Sequence, residues 1–401
     1  MYHHFSVFKN ESKLDLNYIP TRLPHRKFQR TLLNQFFRFT VENPGEMTQR
    51  VLITGNVGTG KTVLSQHFGL DITKEAEKKE INLNYIHVNC RECRGSLFMI
   101  LQRALLNFHP HFPKRGYSAE EILQILIQIL DEQNAYLILA IDELETLIQI
   151  GGSDTLYKLT RVQEARLKAP QRLSLICILR EPRYLNKLDS STRSTLQRNI
   201  IRLDEYSTSQ LQDILKDRVD LAFKHETVST STLHFIAELA SSENGDARYG
   251  IELLWRAGKY ADASELSEVS PECVRKAVAS VYPLVQKDVV FSLSSHEKLF
   301  LLSLARCFKH SKAAYLSMGE AEQAYAVVCE EYNEKKRGHT QLWKYIKELS
   351  ALGIIKTELS SFGQRGKTTY ISLPRVPALD LEQELAKILS TENRRSNTHA
   401  D

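Results

Sequence analysis

The stretch RVLITGNVGTGKT, residues 50–62, places a glycine-rich loop directly after a short apolar run. Its last eight residues fit the pattern G-x-x-x-x-G-K-[ST], in which backbone N–H groups and a lysine bind the phosphates of a nucleotide. The alternative is a glycine turn that binds nothing. We predict an ATP site in which Lys61 contacts the β- and γ-phosphates and Thr62 binds magnesium. The predicted nucleotide-binding residues of the loop are Gly55, Asn56, Val57, Gly58, Thr59, Gly60, Lys61 and Thr62.

A second apolar run ends in two acidic residues. Residues 137–143 read LILAIDE, which places Asp142 at the carboxyl end of a predicted strand, where open α/β sheets bind ligands. We predict that Asp142 holds magnesium through water and that Glu143 is the general base for the attacking water. A strand that merely enters a turn could end in the same way.

Apolar runs and helical stretches alternate through the first 200 residues. This alternation predicts a parallel sheet with helices on both faces. The predicted strands are Arg50–Thr54, Leu83–Val88, Tyr136–Ile141, Leu173–Leu179 and Ile200–Leu203.

The strand pattern stops after Asp204. From Ser294 onward, helices are followed by a hairpin that pairs Ile354–Leu359 with Thr368–Leu373, which is the order of a winged helix-turn-helix. The predicted helices between these two points are Ser209–Phe223, Ser231–Ser241, Ala247–Ala263 and Pro271–Val281.

The sequence thus predicts an α/β fold with three domains and a tail. A P-loop parallel-sheet domain covers 1–203, a small all-α lid domain 204–283, a winged-helix domain 284–376 and a C-terminal tail 377–401. We expect the polar end of the tail, Thr391–Asp401, to be mobile.

Composition is that of a globular protein, with 42% hydrophobic and 25% charged residues. No apolar run is long enough to span a membrane, and the N-terminus lacks the pattern of a signal peptide. Six cysteines do not make a disulfide scaffold, so we expect a cytoplasmic, nucleoid-associated protein. Cys90 and Cys93 have C-x-x-C spacing without a second pair at zinc-site spacing, so one buried and one incidental thiol is a simpler interpretation than a metal or redox site. The net charge of +5 falls within residues 284–375, which favours a polyanionic partner there.

With both motifs placed, the chain resembles the archaeal origin-recognition and cell-division-control initiators, a branch of the AAA+ ATPases, over roughly residues 15–376. The resemblance begins at residues 18–20 (YIP) and 23–26 (LPHR), a segment that lines the adenine pocket in the family. It also covers the start of the helical lid, near residue 206. It implies that the adenine pocket is formed by Tyr18, Ile19, Pro24, His25, Arg26 and Tyr206.

The sequence GDAR at residues 245–248 resembles the sensor-2 motif of this family, whose arginine reaches the γ-phosphate. An arginine at the start of a helix is unfavourable beside the helix dipole unless an anion accompanies it. A surface salt bridge would also satisfy it. The resemblance implies a catalytic set of Lys61, Asp142, Glu143 and Arg248.

Two arginines mark departures from the family pattern. The polar sensor after the fourth strand, usually Asn, is Arg180, which could contact phosphate or pair with Glu181 or Glu143. We therefore expect slow hydrolysis that acts as a switch. The segment of the trans-acting arginine, residues 188–196, lacks its first basic position, which leaves Arg193 as the candidate and Arg198 in reserve.

The predicted recognition helix is His339–Leu352, with an apolar stripe that includes Leu352. In the family the wing enters the minor groove, and a helix after the second strand also touches DNA; here that second region carries Arg91, Arg94 and Arg103. A solvated charged face is the alternative. The predicted DNA contacts of the winged module are Arg337, Gln341, Lys344, Lys347, Arg365 and Lys367.

The resemblance implies a replication initiator that binds ATP or ADP with Mg²⁺. It recognises double-stranded origin DNA and acts with the replicative helicase and other initiator subunits, and no membrane partner is expected. A transcriptional or signalling ATPase would also combine a P-loop with a winged helix. A third possibility is a DNA-binding module whose bound ADP is purely structural.

Overall fold

The computed structural model describes residues 6–113, 115–162, 166, 169–281, 287–310, 313–359 and 368–397. It divides into two compact units. One contains residues 19–210 and 244–247; the other contains the described residues up to 18, residues 211–243 and those from 248 onward. None of the helices in these described ranges has the length and apolar character needed to cross a bilayer.

The first unit is built on a five-stranded parallel sheet in the order β2-β3-β4-β1-β5. The parallel sheet confirms the predicted α/β fold. The three central strands are buried apolar runs whose side chains alternate between two apolar clusters. The strands are β1 (Arg50–Thr54), β2 (Leu83–Asn89), β3 (Tyr136–Asp142), β4 (Leu173–Leu179) and β5 (Ile200–Arg202).

One helix precedes the first strand, and five helices and a 3-10 turn, Pro182–Lys187, connect the described strands. Cys90 and Cys93 are both buried in one of the two clusters, as packing residues. The helices are α1 (Lys27–Glu42), α2 (Lys61–Lys78), α3 (Leu97–Phe108), α4 (Ala119–Glu132), α5 (Leu144–Arg161) and α6 (Ser190–Leu196).

The helical lid has four helices in the described residues and belongs to the second unit, apart from its residues up to 210 and residues 244–247. The N-terminal segment packs against it: Phe8 stacks on Phe223 with ring centroids 4.8 Å apart, and the amide groups of Lys9 and Asn10 both donate to the carbonyl of Ala222. The sequence had grouped this segment with the P-loop domain. The lid helices are α7 (Thr208–Ala222), α8 (Thr230–Ser242), α9 (Ala247–Ala263) and α10 (Pro271–Val281).

The winged-helix module follows, with a three-stranded antiparallel sheet in the order β6-β8-β7. The two longer strands, β7 and β8, pair antiparallel, as the predicted hairpin requires. Its elements are α11 (Lys287–Ser292), α12 (Ser295–His310), β6 (Leu316–Ser317), α13 (Met318–Glu331), α14 (His339–Ala351), β7 (Lys356–Leu359), β8 (Thr369–Ser372) and α15 (Ala378–Asn397).

The tail that follows the winged-helix residues carries helix α15, and the mobility expected of Thr391–Asp401 stays a prediction. Leu381, Leu385, Ile388 and Leu389 are buried in the core of the winged-helix module. Their spacing is that of one helix face, so burial of this face stabilises the helix, and the helical pattern extends into the polar residues beyond it.

The lid and the winged-helix module are joined by buried polar contacts within this unit. The fully buried Arg275 of α10 donates to the carbonyl of Leu373 at 3.0 Å and pairs with Glu272 at 3.2 Å. On α8, the buried Glu238 accepts a hydrogen bond from the hydroxyl of Tyr315. A buried charge is stable only when such partners satisfy it.

Candidate nucleotide site and DNA-binding surface

The glycine-rich loop after β1 has two positions that favour glycine. Gly58 has φ 74° and Gly60 has φ 87°, in the left-handed region that side chains disfavour. A Cβ on Gly58 would lie 1.9 Å from Oδ1 of Asp246, and one on Gly60 would lie 3.1 Å from the hydroxyl oxygen of Tyr206. Helix α2 begins at Lys61, directly after the loop, so its N-terminus is available to an anion.

The side chain of Lys61 folds back along the loop. Its Nζ donates to the carbonyls of Gly55 at 2.6 Å and Asn56 at 2.7 Å. The loop is held in turn by Thr59, whose hydroxyl donates to the carbonyl of Asn56, and by Glu205, which accepts from the Asn56 amide at 2.7 Å. The ammonium group therefore lies beside the cradle in which the sequence predicts the phosphates.

Three groups contact the carboxylate of Asp142, at the end of β3. Its Oδ2 atom accepts from the hydroxyl of Thr62 at 2.6 Å and lies 3.2 Å from Nε2 of His87 on β2. Its Oδ1 atom accepts from the backbone N–H of Glu143 at 2.8 Å. The two predicted magnesium ligands, Thr62 and Asp142, thus lie together, and their hard oxygen atoms suit that ion.

The electrostatics of Asp142 favour its charged form. Burial acts to raise the pKa of this carboxyl, but the hydrogen bonds from His87, Thr62 and the backbone of Glu143 outweigh it. The pKa of Asp142 therefore lies below its ordinary value. A carboxylate that is charged at neutral pH suits a magnesium site.

Glu143 lies immediately beyond, at the start of α5. Its backbone is left-handed, with φ 53°, a conformation that costs energy and is concentrated at functional sites. Its Oε2 atom lies 3.4 Å from Nε of Arg91, which is 71% exposed. The proposed general base is therefore paired with an arginine that the sequence analysis had considered only as a DNA contact.

Arg26 is a central support of the phosphate loop. The buried guanidinium donates to the carbonyl of Thr59 from Nε and Nη2, at 3.2 and 3.0 Å, and to the carbonyl of Asp204 at 2.7 Å. It also stacks over the ring of Tyr206, 3.9 Å from the centroid. Arg26 therefore links the phosphate loop to the residues that follow β5.

The other residues assigned to the adenine pocket differ in their placement. Ile19 and Pro24 are partly buried and His25 is exposed, with a left-handed φ of 59°. Tyr18 belongs to the second unit, where its ring packs between Lys13 and Arg218 at 4.3 and 4.9 Å. The adenine assignment of these residues remains a prediction.

The sensor-2 segment begins beside the loop. The amide of Ala247 donates to the carbonyl of Gly58 at 3.3 Å, and Asp246 fills the space in front of Gly58. Arg248 is the second residue of α9 and is exposed, as is Val57 in the loop.

The two arginines that depart from the family pattern lie after β4 and in α6. Arg180 follows β4, and its Nε lies 3.9 Å from Glu145, whereas the pairs expected from the sequence were with Glu181 or Glu143. Glu145 replaces them because it lies in the first turn of α5, at the same edge of the sheet. Arg193 is partly buried in the short helix α6, and its role as a trans-acting arginine remains a prediction.

Helix α14 is exposed where the sequence predicts DNA contacts. Lys344, Lys347 and the preceding Arg337 are exposed, and Gln341 is partly buried. The expected apolar stripe is present with one correction: Leu352 is 49% exposed, because the helix ends at Ala351. The buried positions are Leu342, Tyr345, Ile346 and Leu349.

The wing residues Arg365 and Lys367 lie outside the described residues. In the other predicted DNA-contact region, Arg103 pairs with Glu92 at 2.7 Å and Arg91 with Glu143, while Arg94 is exposed. Two of these three arginines are thus engaged within the protein.

Sequence reasoning missed His87 at this site. The register of β2 and β3 pairs His87 with Ala140, two residues before Asp142, so both side chains lie on the same face of the sheet. A polar residue two positions before the end of an apolar strand was the available signal.

Two family models match consecutive parts of the chain. The model for the Cdc6 AAA+ ATPase-type lid domain matches residues 212–279, and the model for the CDC6 C-terminal winged helix domain matches residues 288–383. Among curated proteins, the chain is similar to ORC1-type DNA replication protein 2 of Sulfolobus acidocaldarius. The two are 34% identical over 397 residues, which cover 97% of this chain and 94% of that protein.

Solved structures give the same picture. Cdc6p from Pyrobaculum aerophilum has 31% identity and a TM-score of 0.82, over 96% of this chain and all of that one. The Aeropyrum pernix ORC1 protein in complex with DNA has 27% identity and a TM-score of 0.63, over 95% and 97%. The Aeropyrum pernix ORC2 protein, solved as ADPNP–ADP complexes, has 25% identity and a TM-score of 0.62, over 96% and 99%.

Proposed function

Because the chain belongs to the Cdc6 and ORC1-type family of DNA replication proteins, we propose that it is an ATP-controlled initiator that binds replication origins in double-stranded DNA. One observation carries this proposal: the Lys61 loop, Thr62 and the charged Asp142 meet at one edge of the sheet. The same chain carries a winged-helix module with exposed cations. The regulator reading has no comparable support, since the relatives are replication proteins.

The nucleotide would be bound as a magnesium complex. Thr62 and Asp142 would hold the ion, which neutralises phosphate charge when bound. Lys61 would leave the loop carbonyls for the β- and γ-phosphates, and Glu143 would accept the proton of the attacking water. We propose slow turnover, because a cation at position 180 cannot orient water as an amide does, and Arg180 is paired with Glu145.

DNA would be bound by the winged module, through the exposed side chains of α14 and the wing. The similar Aeropyrum pernix ORC1 protein, solved in complex with DNA, supports DNA as the partner. As an initiator, the protein would act in the cytoplasm at the nucleoid, with other initiator subunits and the replicative helicase as partners.

The first test is Lys61→Ala. Loss of the ammonium group should reduce binding of ATP and ADP below detection, while the circular dichroism spectrum stays unchanged. A titration with a fluorescent nucleotide measures this, and Lys78→Ala, at the far end of α2, is the matched control. Normal nucleotide binding by Lys61→Ala would refute the phosphate-loop assignment.

The second test concerns DNA. Binding to chromosomal fragments should be enriched at origins over scrambled duplexes of equal length and composition. Equal affinity for both would leave a general DNA-binding ATPase and remove origin recognition.

A further inference from the structure

His87 is a titratable side chain that the proposed chemistry does not use, although it contacts the proposed magnesium ligand. Its Nε2 atom lies 3.2 Å from Oδ2 of Asp142. A carboxylate oxygen can only accept, so Nε2 must carry the hydrogen of this bond. The contact is shielded, because the side chains of His87 and Asp142 are 18% and 7% exposed.

With this bond, both carboxylate oxygens of Asp142 accept a hydrogen bond. His87 contacts Oδ2, whereas the backbone N–H of Glu143 donates to Oδ1 at 2.8 Å. Donors on two different oxygens prevent the carboxylate from rotating about its terminal bond. The hydroxyl of Thr62 also donates to Oδ2, but Thr62 is itself a proposed magnesium ligand and cannot serve as an independent support.

We propose that His87 is a positioning residue that fixes the orientation of Asp142 and so sets the affinity of the site for the magnesium–nucleotide complex. This inference rests on the proposed function. Hydrogen-bond partners of metal-binding carboxylates typically contribute 10–100-fold to metal affinity. His87 acts through Asp142 and does not touch the nucleotide in this assignment.

Two substitutions separate this role from packing. Glutamine can place its amide nitrogen near the position of Nε2 and keep a donor, whereas leucine fills similar space without one. The matched control is His67→Leu: His67 is also buried, and its Nδ1 lies 3.1 Å from the carboxylate of Asp71, away from the proposed magnesium ligands.

The experiment measures the affinity of the full chain for a fluorescent ADP analogue, in EDTA and across a magnesium titration. His87→Leu should require about 10–100-fold more magnesium for half of the magnesium-dependent gain, with affinity in EDTA unchanged. His87→Gln should stay within about threefold of wild type, as should His67→Leu.

The inference is overturned if His87→Leu shifts the magnesium midpoint no more than His67→Leu, or if His87→Gln is as impaired as His87→Leu. A wild type that binds no nucleotide would instead refute the proposed function itself. Nitrogen-15 NMR of histidine-labelled wild type is independent of any variant's folding. It should show His87 with its hydrogen on Nε2, and a hydrogen on Nδ1 alone would also overturn the inference.

Discussion

Two buried carboxylates, one in each unit, have pKa values shifted in opposite directions. Asp142 and Glu238 are 5% and 4% exposed, so burial penalises their charged forms alike. The pKa of Asp142 is nevertheless lowered, because hydrogen-bond donors surround it. Burial and the adjacent carboxyl of Glu358 raise the pKa of Glu238 to about 7.

The neighbouring groups explain why the two pKa values shift in opposite directions. Asp142 belongs to the proposed binding site, whereas Glu238 lies where the lid contacts the winged-helix module. A carboxylate that stays charged at the edge of a sheet can bind a cation. A carboxyl held neutral can share its proton with a second carboxylate and so connect two surfaces. Consistent with this, the hydrogen bond from Glu238 on α8 lowers the pKa of Glu358 on β7. The remaining groups facing Glu238 are Tyr315, Lys356 and His234.

The largest expected effect concerns the charged edge of the sheet. Glu143→Gln should keep ATP bound and lower its hydrolysis by about 10²–10⁴-fold, because an amide cannot accept the proton of the attacking water. Phosphate release measured at saturating ATP tests this. Glu132→Gln, on the exposed end of α4, should hydrolyse ATP like wild type. Unchanged turnover in Glu143→Gln would remove Glu143 from its catalytic role.

The sequence predicted the nucleotide edge well because its geometry is local. The loop at residues 55–62 and the acidic pair at residues 142–143 each follow a buried apolar strand, and parallel strands end at a common edge. All five strands of this sheet were predicted within one residue at each end, since short runs of apolar and β-branched residues mark them in the sequence.

The residues that hold the nucleotide site in place were harder to predict, because their contacts join residues that are distant in the sequence. His87 lies 55 residues from Asp142, and Arg26 lies 178 residues from Asp204. The polar residue near the end of β2 hinted at His87, but no pattern in a single sequence pairs it with Asp142, or Arg26 with Asp204. The carboxyl pair Glu238 and Glu358 is equally invisible, because one residue lies on a helix of the lid and the other on a strand of the winged module.

The second prediction concerns the carboxyl of Glu238, where the lid contacts the winged-helix module. The pKa of Glu238 is raised from an ordinary 4.5 to about 7. Its neutral form therefore stabilises the fold fully below about pH 4.5, and this stabilisation is lost as the pH rises through about 7. Glu238→Gln stays neutral, so it should raise the unfolding midpoint at pH 8 by about 2–6 °C, equivalent to about 1–2 kcal/mol.

Thermal unfolding at pH 5.5 and pH 8 measures this change. The advantage of Glu238→Gln over wild type should be larger at pH 8, where the wild-type carboxyl is charged. Glu226→Gln, in the exposed turn between α7 and α8, should follow wild type at both values. A Glu238→Gln protein that is less stable than wild type at pH 8 would show that this contact needs the charge, and the contrast with Asp142 would fail.

The smallest expected effect lies on the recognition helix, where the cations are exposed and neither buried carboxylate is involved. Lys344→Ala removes one charge from α14. A lost phosphate contact should lower the slope of log K against log salt by about one unit and weaken binding by less than about tenfold at 0.1 M salt. If Lys344 also contacts a base, origin duplexes should lose roughly 1–3 kcal/mol while scrambled duplexes lose less. We expect mainly the first effect, with some loss of preference for origin duplexes.

Fluorescence anisotropy on both duplexes at several salt concentrations separates the two effects, and Lys387→Ala on α15 is the control of equal charge. Nucleotide affinity should not change in either variant, since neither residue belongs to the nucleotide site. If Lys344→Ala matches Lys387→Ala on every duplex, this face of α14 does not meet DNA, and the winged module must bind through another surface.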